Sequence, residues 1–264
     1  MNPLRLLAGK PSAPTRGIAR ENLSFTLDNG ETVAVLRVRD PRARRIKLSV
    51  SERGARLTLP LRVSEIAGER FVLEHGDWLM AQLASSGSSA PALQAHVATS
   101  IPLRGGELPL LWQEGRALRL ARSGDALHIT VPSQLRTPAL RRALRDFYEA
   151  EARADIGRWL PRYLPGLPRA PSRLRLRMMS SQWGSLAPDA TLCLDLALVL
   201  ADQAAFEYVL VHELCHLIHA DHSRRFWREV EARFPAWREQ RDYFRGEGRR
   251  IKASLHALCG NAKA

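Results

Sequence analysis

Between residues 203 and 228 the chain reads QAAFEYVLVHELCHLIHADHSRRFWR, and its reactive side chains cluster at His212, Glu213, His216 and His222. On a helix, two histidines four residues apart hold their Cβ atoms about 5–6 Å from each other, so both imidazoles reach one Zn²⁺ ion at about 2.0–2.1 Å. Glu213 is left beside the metal. There its carboxylate can take a proton from a zinc-bound water, whose pKa the metal lowers towards about 7, and pass it to a leaving amine. The spacing His212-Glu213-x-x-His216 is thus that of a metal-dependent hydrolase, with Glu213 as general base.

A catalytic zinc keeps three protein ligands and one open position, so a third ligand is required. His219 lies on the correct face but about 10.5 Å along the axis from His212 if the helix stays regular. His222 is the better choice. Asp221–Ser223 reads as a chain reversal, Ser223 is a suitable N-cap for the helix that follows, and the turn can bring His222 back over the metal. The expected ligand set is His212, His216 and His222.

These residues need a helix to carry them. At about 100° per residue, His216 falls at about 40° and Glu213 at about 100° from His212. Phe206, Leu210, Val211, Leu214, Leu217 and Ile218 form an apolar stripe opposite, so the functional face points away from the packing face. Cys215 lies outside both sets and reads as a small packed hydrophobe. Tyr208 and Tyr243 could each stabilise an oxyanion or simply pack. His75, His96, His128 and His256 are isolated and receive no role.

The rest of the chain supplies the frame. Residues 1–19 carry no periodicity and read as a mobile tail. Two extended runs around Asn29-Gly30 predict a hairpin, and RIKLSVS and ARLTLP a further pair of strands turning at Gly54. Residues 37–62 contain nine basic and two acidic side chains at strand period, which predicts one strongly positive sheet face. A single helix is expected from Ser64 as N-cap, through Gly68 and Gly76, to Leu83. A Ser- and Ala-rich linker follows at 84–96, then a meander of short strands over 100–132. A long helix is expected from Pro138 to Leu160, ending before Pro161. SRLRLRMM and ATLCLDLAL predict two more strands, with SSQWGSLAPD between them and Trp183-Gly184-Ser185 in the turn. That turn either presents an edge strand to an extended substrate or anchors the hairpin through Trp183. An Arg-rich helix is expected from Arg224 to Arg250, and no internal repeat is visible. The organisation expected is a tail (1–19), a β-rich basic region with one helix (20–136), a catalytic region (137–247) and a C-terminal tail (248–264).

The chain has 264 residues, 45% of them hydrophobic, and a formal charge of +13 carried by 36 arginines and only four lysines. Such a charge favours polyanions, so nucleic-acid binding through the basic strands is the alternative to a hydrolase, and a non-peptide hydrolase is another. Cys193, Cys215 and Cys259 form no C-x-x-C pair. With no run of about 20 apolar residues and no secretory leader, a cytoplasmic protein without membrane contact is expected.

The run VLVHELCHLIHADHSRRFW matches the spacing of H-E-x-x-H-x-x-G-x-x-H peptidases but puts His219 at the glycine position. It closely resembles the YgjP-like metallopeptidases, relatives of the SprT and Spartan zincins, in which a third His and a Phe-Trp pair follow H-E-L-x-H; here the pair is Phe226-Trp227. RARRIKLSV, EIAGERFVLEHGDWL, SSQWGSL and FWREVEARFPAWRE resemble further blocks of that family over about residues 34–245. Gln182, Leu186 and Asp195 depart from it, standing where the family tends to have Arg, Cys and Asn. The resemblance implies an α+β fold with a zincin-like catalytic unit, Zn²⁺ at the three histidines, and a protein or peptide substrate; the SprT and Spartan relatives act on DNA-bound proteins.

Overall fold

The computed structural model describes residues 19–27, 30–51, 54–86 and 93–260, and the chain divides into two compact units, Met1–Leu83 and Ala84–Ala264. The fold is α+β. The first unit holds β1 (Ala19–Thr26), β2 (Thr32–Arg39), β3 (Lys47–Ser51) and β4 (Gly54–Leu59), then α1 (Glu65–Glu74) and the start of α2 (Gly76–Ser86). Val33 and Val35 of β2 alternate with exposed neighbours and join Ala55, Leu57 and Leu59 of β4 on one face, where Val72 and Leu79 of the helices cover them. The β1–β2 hairpin closes on Gly30 at φ +81°, while Asn29 lies outside the described residues, as do residues 1–18 of the expected tail and 87–92 of the expected linker.

Two expectations for this unit are corrected. The single helix is two, broken at His75 (φ −111°, ψ 22°) before Gly76, although the Ser64 hydroxyl does accept from the Ala67 N–H. The basic side chains also divide between the two faces, with Lys47 and Arg56 on the one opposite Arg37. Arg37 and Arg39 share the inward face of β2 with Val33 and Val35, and there Arg37 pairs with Glu21 and Glu65 at 2.5 and 2.9 Å while Arg39 reaches Glu65. Strand alternation turns these arginines towards the acidic first turn of α1.

The second unit opens with β5 (Ser100–Leu103), β6 (Gly106–Glu114), β7 (Arg119–Ser123) and β8 (Ala126–Val131). They lie in the order β5-β6-β8-β7, with β6 parallel to β8, so this is not a meander. β6 and β8 carry the buried Leu108, Leu110, Leu127, Ile129 and Val131 and take the centre. Arg119 and Arg122 of β7 and Pro102 of β5 suit the edges. The first sheet has the same order, β1-β2-β4-β3 with β2 parallel to β4, a repeat of topology without a visible repeat of sequence.

Helix α3 (Thr137–Tyr163) buries Leu140, Leu144, Tyr148, Ala152, Ile156 and Trp159 at spacings of three and four. It runs past Pro161 rather than stopping before it, because a proline in the last turn removes only one amide bond. The Tyr148 hydroxyl donates to the Pro102 carbonyl, and Arg104 grips the fully buried Asp155 through Nε and Nη2 at 2.8–3.1 Å. β5–β8 therefore pack with the helices that follow, inside the second compact unit.

The third sheet is β9 (Arg173–Arg177), β10 (Gly184–Leu186) and β11 (Thr191–Asp195), in the order β10-β11-β9. A buried 3-10 turn, Leu196–Leu200, then leads into α4 (Gln203–Cys215). The β5–β6 turn holds this junction: Arg104 and Gly105 N–H donate to the Val199 and Leu200 carbonyls at 2.9 and 3.0 Å. The expected Arg-rich helix is again two, α5 (Arg224–Arg233) and α6 (Trp237–Cys259), separated at Pro235. α6 buries Ile251, Leu255 and Leu258, so the expected C-terminal tail is packed helix up to Cys259, with residues 261–264 outside the described ones. Among the described residues no helix is long and apolar enough to cross a membrane.

Candidate active site

Helix α4 is more deeply set than its wheel suggests. Its buried residues run almost all round and include Glu213 and Cys215, leaving His212 and His216 half-buried at one side. Regular helix ends at Cys215. The next amides, of His216, Leu217 and Ile218, bond three residues back rather than four, tightening the chain before it turns. The Asp221 carboxylate then accepts from the Ser223 N–H, and the Ser223 hydroxyl accepts from the Phe226 N–H to start α5. This is the reversal read from the sequence, and it carries His222 back to α4.

Nε2 of His212 and Nε2 of His222 lie 3.1 Å apart, and ligand atoms of His212, His216 and His222 all fall within 4.8 Å of one another. His219 is not in this group. It contributes its carbonyl, which accepts from Nδ1 of His216 at 3.0 Å and leaves that ring's Nε2 lone pair free. Tetrahedral bonds of about 2.0–2.1 Å set nitrogens about 3.3–3.4 Å apart, close to the 3.1 Å between His212 and His222. Burial lowers the pKa of His212 to about 3, helped by His216, His222 and Arg241, and lowers that of His216. Three imidazole nitrogens gathered at ligand spacing, with burial disfavouring the protonated form of His212 and His216, fit a metal ion.

The rings are oriented by α5. Phe226, fully buried, stacks on His216 at 4.5 Å between centroids and meets His212 and His222 edge-on at 4.9 and 4.8 Å. Trp227 leans on His212 and His222 and stacks on Trp237 at 4.4 Å. The Phe-Trp pair is thus a positioning platform for all three histidines, a role its spacing alone did not disclose.

Glu213 is 6% exposed, and burial pushes its carboxyl up to about 8. It packs directly on Gly184 of β10, where a Cβ would meet its Cγ, Oε1 and Cδ at 2.6, 2.7 and 2.8 Å. Only glycine fits there. Glu213, the three histidines and β10 line one cleft of about 700 Å³, within the range of ligand sites. β10 is an edge strand. The Asp195 N–H donates to the Trp183 carbonyl and the Ala187 N–H to the Thr191 carbonyl. Antiparallel alternation therefore aims the backbone groups of Ser185 at β11 and those of Gly184 and Leu186 outwards.

The loop entering β10 is held from α6. Lys252 donates to the Met179 and Gln182 carbonyls at 2.8 and 2.9 Å, bonds the buried Asp195 carboxylate, and lies 4.2 Å from the centre of the Trp183 ring. Asp195 in turn accepts from the Ala197 and Met179 N–H groups. Trp183 also packs on Phe244 at 4.4 Å, so it anchors the hairpin while lining the cleft. Of the two tyrosines left open by the sequence, Tyr208 lines the cleft with its ring edge-on to His212, and burial pushes its phenol up to about 12. The Tyr243 hydroxyl instead accepts from the Asp202 N–H at the start of α4. Cys215 is fully buried, its thiol pushed up to about 12 by burial.

A sequence profile of the YgjP-like metallopeptidase domain matches residues 44–247. The chain is also similar to the metallopeptidase zymogen abylysin of Pyrococcus abyssi, known from its crystal structure, at 26% identity over 37% of this chain and 90% of that one, with a TM-score of 0.29. No curated protein matches. With about three quarters of its length matched by that profile, the chain belongs to the YgjP-like metallopeptidase family.

Proposed function

We propose that this chain is a zinc peptidase whose metal is held by His212, His216 and His222 and whose general base is Glu213. The observation that carries the reading is the convergence of three imidazoles beside a buried carboxylate on a cleft bordered by an edge strand. Three imidazoles with a position left open suit zinc, which when bound supplies Lewis acidity to the substrate carbonyl and to a water. Burial alone favours the neutral form of Glu213, and positive charge at the histidine cluster favours the carboxylate that can accept a proton. Oε1 or Oε2 takes the proton of the attacking water and returns it to the leaving amine.

The chain's own groups also place the peptide. The outward N–H and C=O groups of Gly184 and Leu186 offer the pairing pattern of a strand, and an extended peptide adds to such an edge at about 4.8 Å. The Tyr208 hydroxyl, at the cleft wall, can donate to the substrate carbonyl oxygen as charge develops there.

Metal analysis of the purified protein and its variants tests the assignment. Wild type and His219→Ala should bind about one zinc per chain, and His222→Ala should lose it. Glu213→Gln should keep zinc and lose turnover by about 10²–10⁴-fold on a peptide substrate. Zinc retained at wild-type affinity by His222→Ala, or turnover retained by Glu213→Gln, would overturn the assignment.

A further inference from the structure

Apart from the histidines, the charged side chains lining the cleft, among the described residues, are Glu213, Arg169 and Arg241. Arg169 donates to the Pro188 carbonyl at 2.9 Å on the cleft's rim. Arg241 is different. Its guanidinium carbon lies 5.1 Å from the centre of the Trp227 ring and 5.4 Å from that of Trp237, the stacked pair that also backs His212 and His222. It has no carboxylate partner among the described residues, although α5 and α6 carry several acidic side chains. On these two helices Glu229, Glu231, Asp242 and Glu247 pair with Arg233, Arg238, Arg245 and Arg250 instead.

A fixed cation beside a cationic metal site works against metal binding. A cation–π contact spends none of a guanidinium's hydrogen bonds, so its N–H donors, which form a fork matched to a carboxylate, stay available. Beside two tryptophans at the cleft, that fork has no acceptor among the described residues.

We propose that Arg241 is a specificity residue that binds a carboxylate of the substrate, so that the cleft selects acidic peptides. The proposal rests on the peptidase reading and extends it to a substrate class. The carboxylate has two possible sources, an Asp or Glu side chain near the scissile bond or the free C-terminus of the peptide. Arg241 makes the same forked contact with either.

The test uses the full-length zinc-loaded protein and a set of fluorogenic peptides. Glu replaces Gln at each of three positions on either side of the scissile bond, and each peptide is made with a free and an amidated C-terminus. Wild type should favour the best carboxylate-bearing peptide over its neutral counterpart by about 10- to 100-fold in kcat/KM, as expected for one charge-assisted forked contact. The position arm points to a side chain and the terminus arm to an exopeptidase-like contact. In Arg241→Gln this ratio should fall towards one, and Arg241→Lys should restore only part of it.

Cleavage by wild type without any charge preference, or a preference kept in Arg241→Gln, overturns the proposal while leaving the peptidase reading intact. Should Arg241→Gln fail to fold, the wild-type ratio alone still decides. Should no peptide be cleaved, the peptidase reading fails separately. Anisotropy of the same peptides on Glu213→Gln then decides recognition: tighter binding of the carboxylate forms, lost in Glu213→Gln/Arg241→Gln, upholds it, and equal binding overturns it.

Discussion

The contact between Gly184 and Glu213 can be tested with one methyl group. In Gly184→Ala the added Cβ would stand 2.6 Å from Cγ, 2.7 Å from Oε1 and 2.8 Å from Cδ of Glu213. Ordinary carbon contacts lie at about 3.5–4.0 Å, so the two elements must part by about 1 Å. α4 is buried on nearly every side and Trp183 and Asp195 pin the ends of the β10–β11 hairpin, so neither backbone gives way freely. Overpacking of this kind costs about 1–3 kcal/mol of stability. A displacement of about 1 Å at the base costs about 10²-fold in turnover. Zinc content, thermal unfolding and steady-state kinetics on one peptide measure the three effects together. We expect bound zinc to remain, stability to fall modestly, and kcat to drop about 100-fold. If β10 yields instead of the carboxylate, the loss moves into KM, because the outward groups of Gly184 and Leu186 shift. Wild-type kcat and KM with zinc bound would refute the reasoning, since Glu213 would then owe its position to something other than this close approach.

Gly157→Ala provides the matching control, because Gly157 is an exposed position inside α3 with nothing within 4 Å of an added Cβ. It should stabilise the protein by about 1 kcal/mol, or about 2–4 °C in Tm, with zinc content and turnover unchanged in the same assays. Lys252→Met strands the Asp195 carboxylate at 1% exposure and should cost about 3–5 kcal/mol in denaturant unfolding. Adding Asp195→Asn should recover part of that loss, and no recovery would argue against the ion pair as the source. Burial pushes the Cys259 thiol up to about 12, so it keeps its proton at pH 8 and should resist alkylation in the native protein. Mass spectrometry before and after denaturation reads this directly.

What the sequence disclosed about the fold depended on range. The Ser64 cap, the antiparallel pairing of β3 with β4 and the periodic apolar residues of α3 are settled by neighbours a few residues apart, and each appears where expected. Strand order is a contest among distant segments. β6 and β8 pair because both are apolar enough to sit in the middle of a sheet, and no local pattern in either names its partner. The same holds for Arg37 and Arg39: strand period predicted their alternation, but the carboxylates that neutralise them come from β1 and α1. Breaks inside long polar helices were hard to see for a different reason. His75-Gly76 and Pro235 compete with strong helix-forming flanks, and the balance is decided by what each flank packs against.

The candidate site divides in the same way, and the division bears on how it works. His212, His216 and His222 come from eleven consecutive residues, so a helix, a tightened turn and an N-cap suffice to bring them together. Phe226 and Trp227, which orient the rings, follow within five residues, but the rest is remote in sequence: Gly184 against the base, Lys252 behind the edge strand, and Arg241 beside the tryptophans. The local part can gather a metal but cannot by itself choose a substrate, because it contains no group aimed along the cleft. Lys252 shows why the remote part resists reading from composition. In a chain with 36 arginines it is one of four lysines. A compact ammonium can donate to two carbonyls and a carboxylate around one point, whereas a planar guanidinium spreads its donors over a fork. Substituting Arg at Lys252 keeps the charge and should still loosen β10, which KM would report and kcat would not.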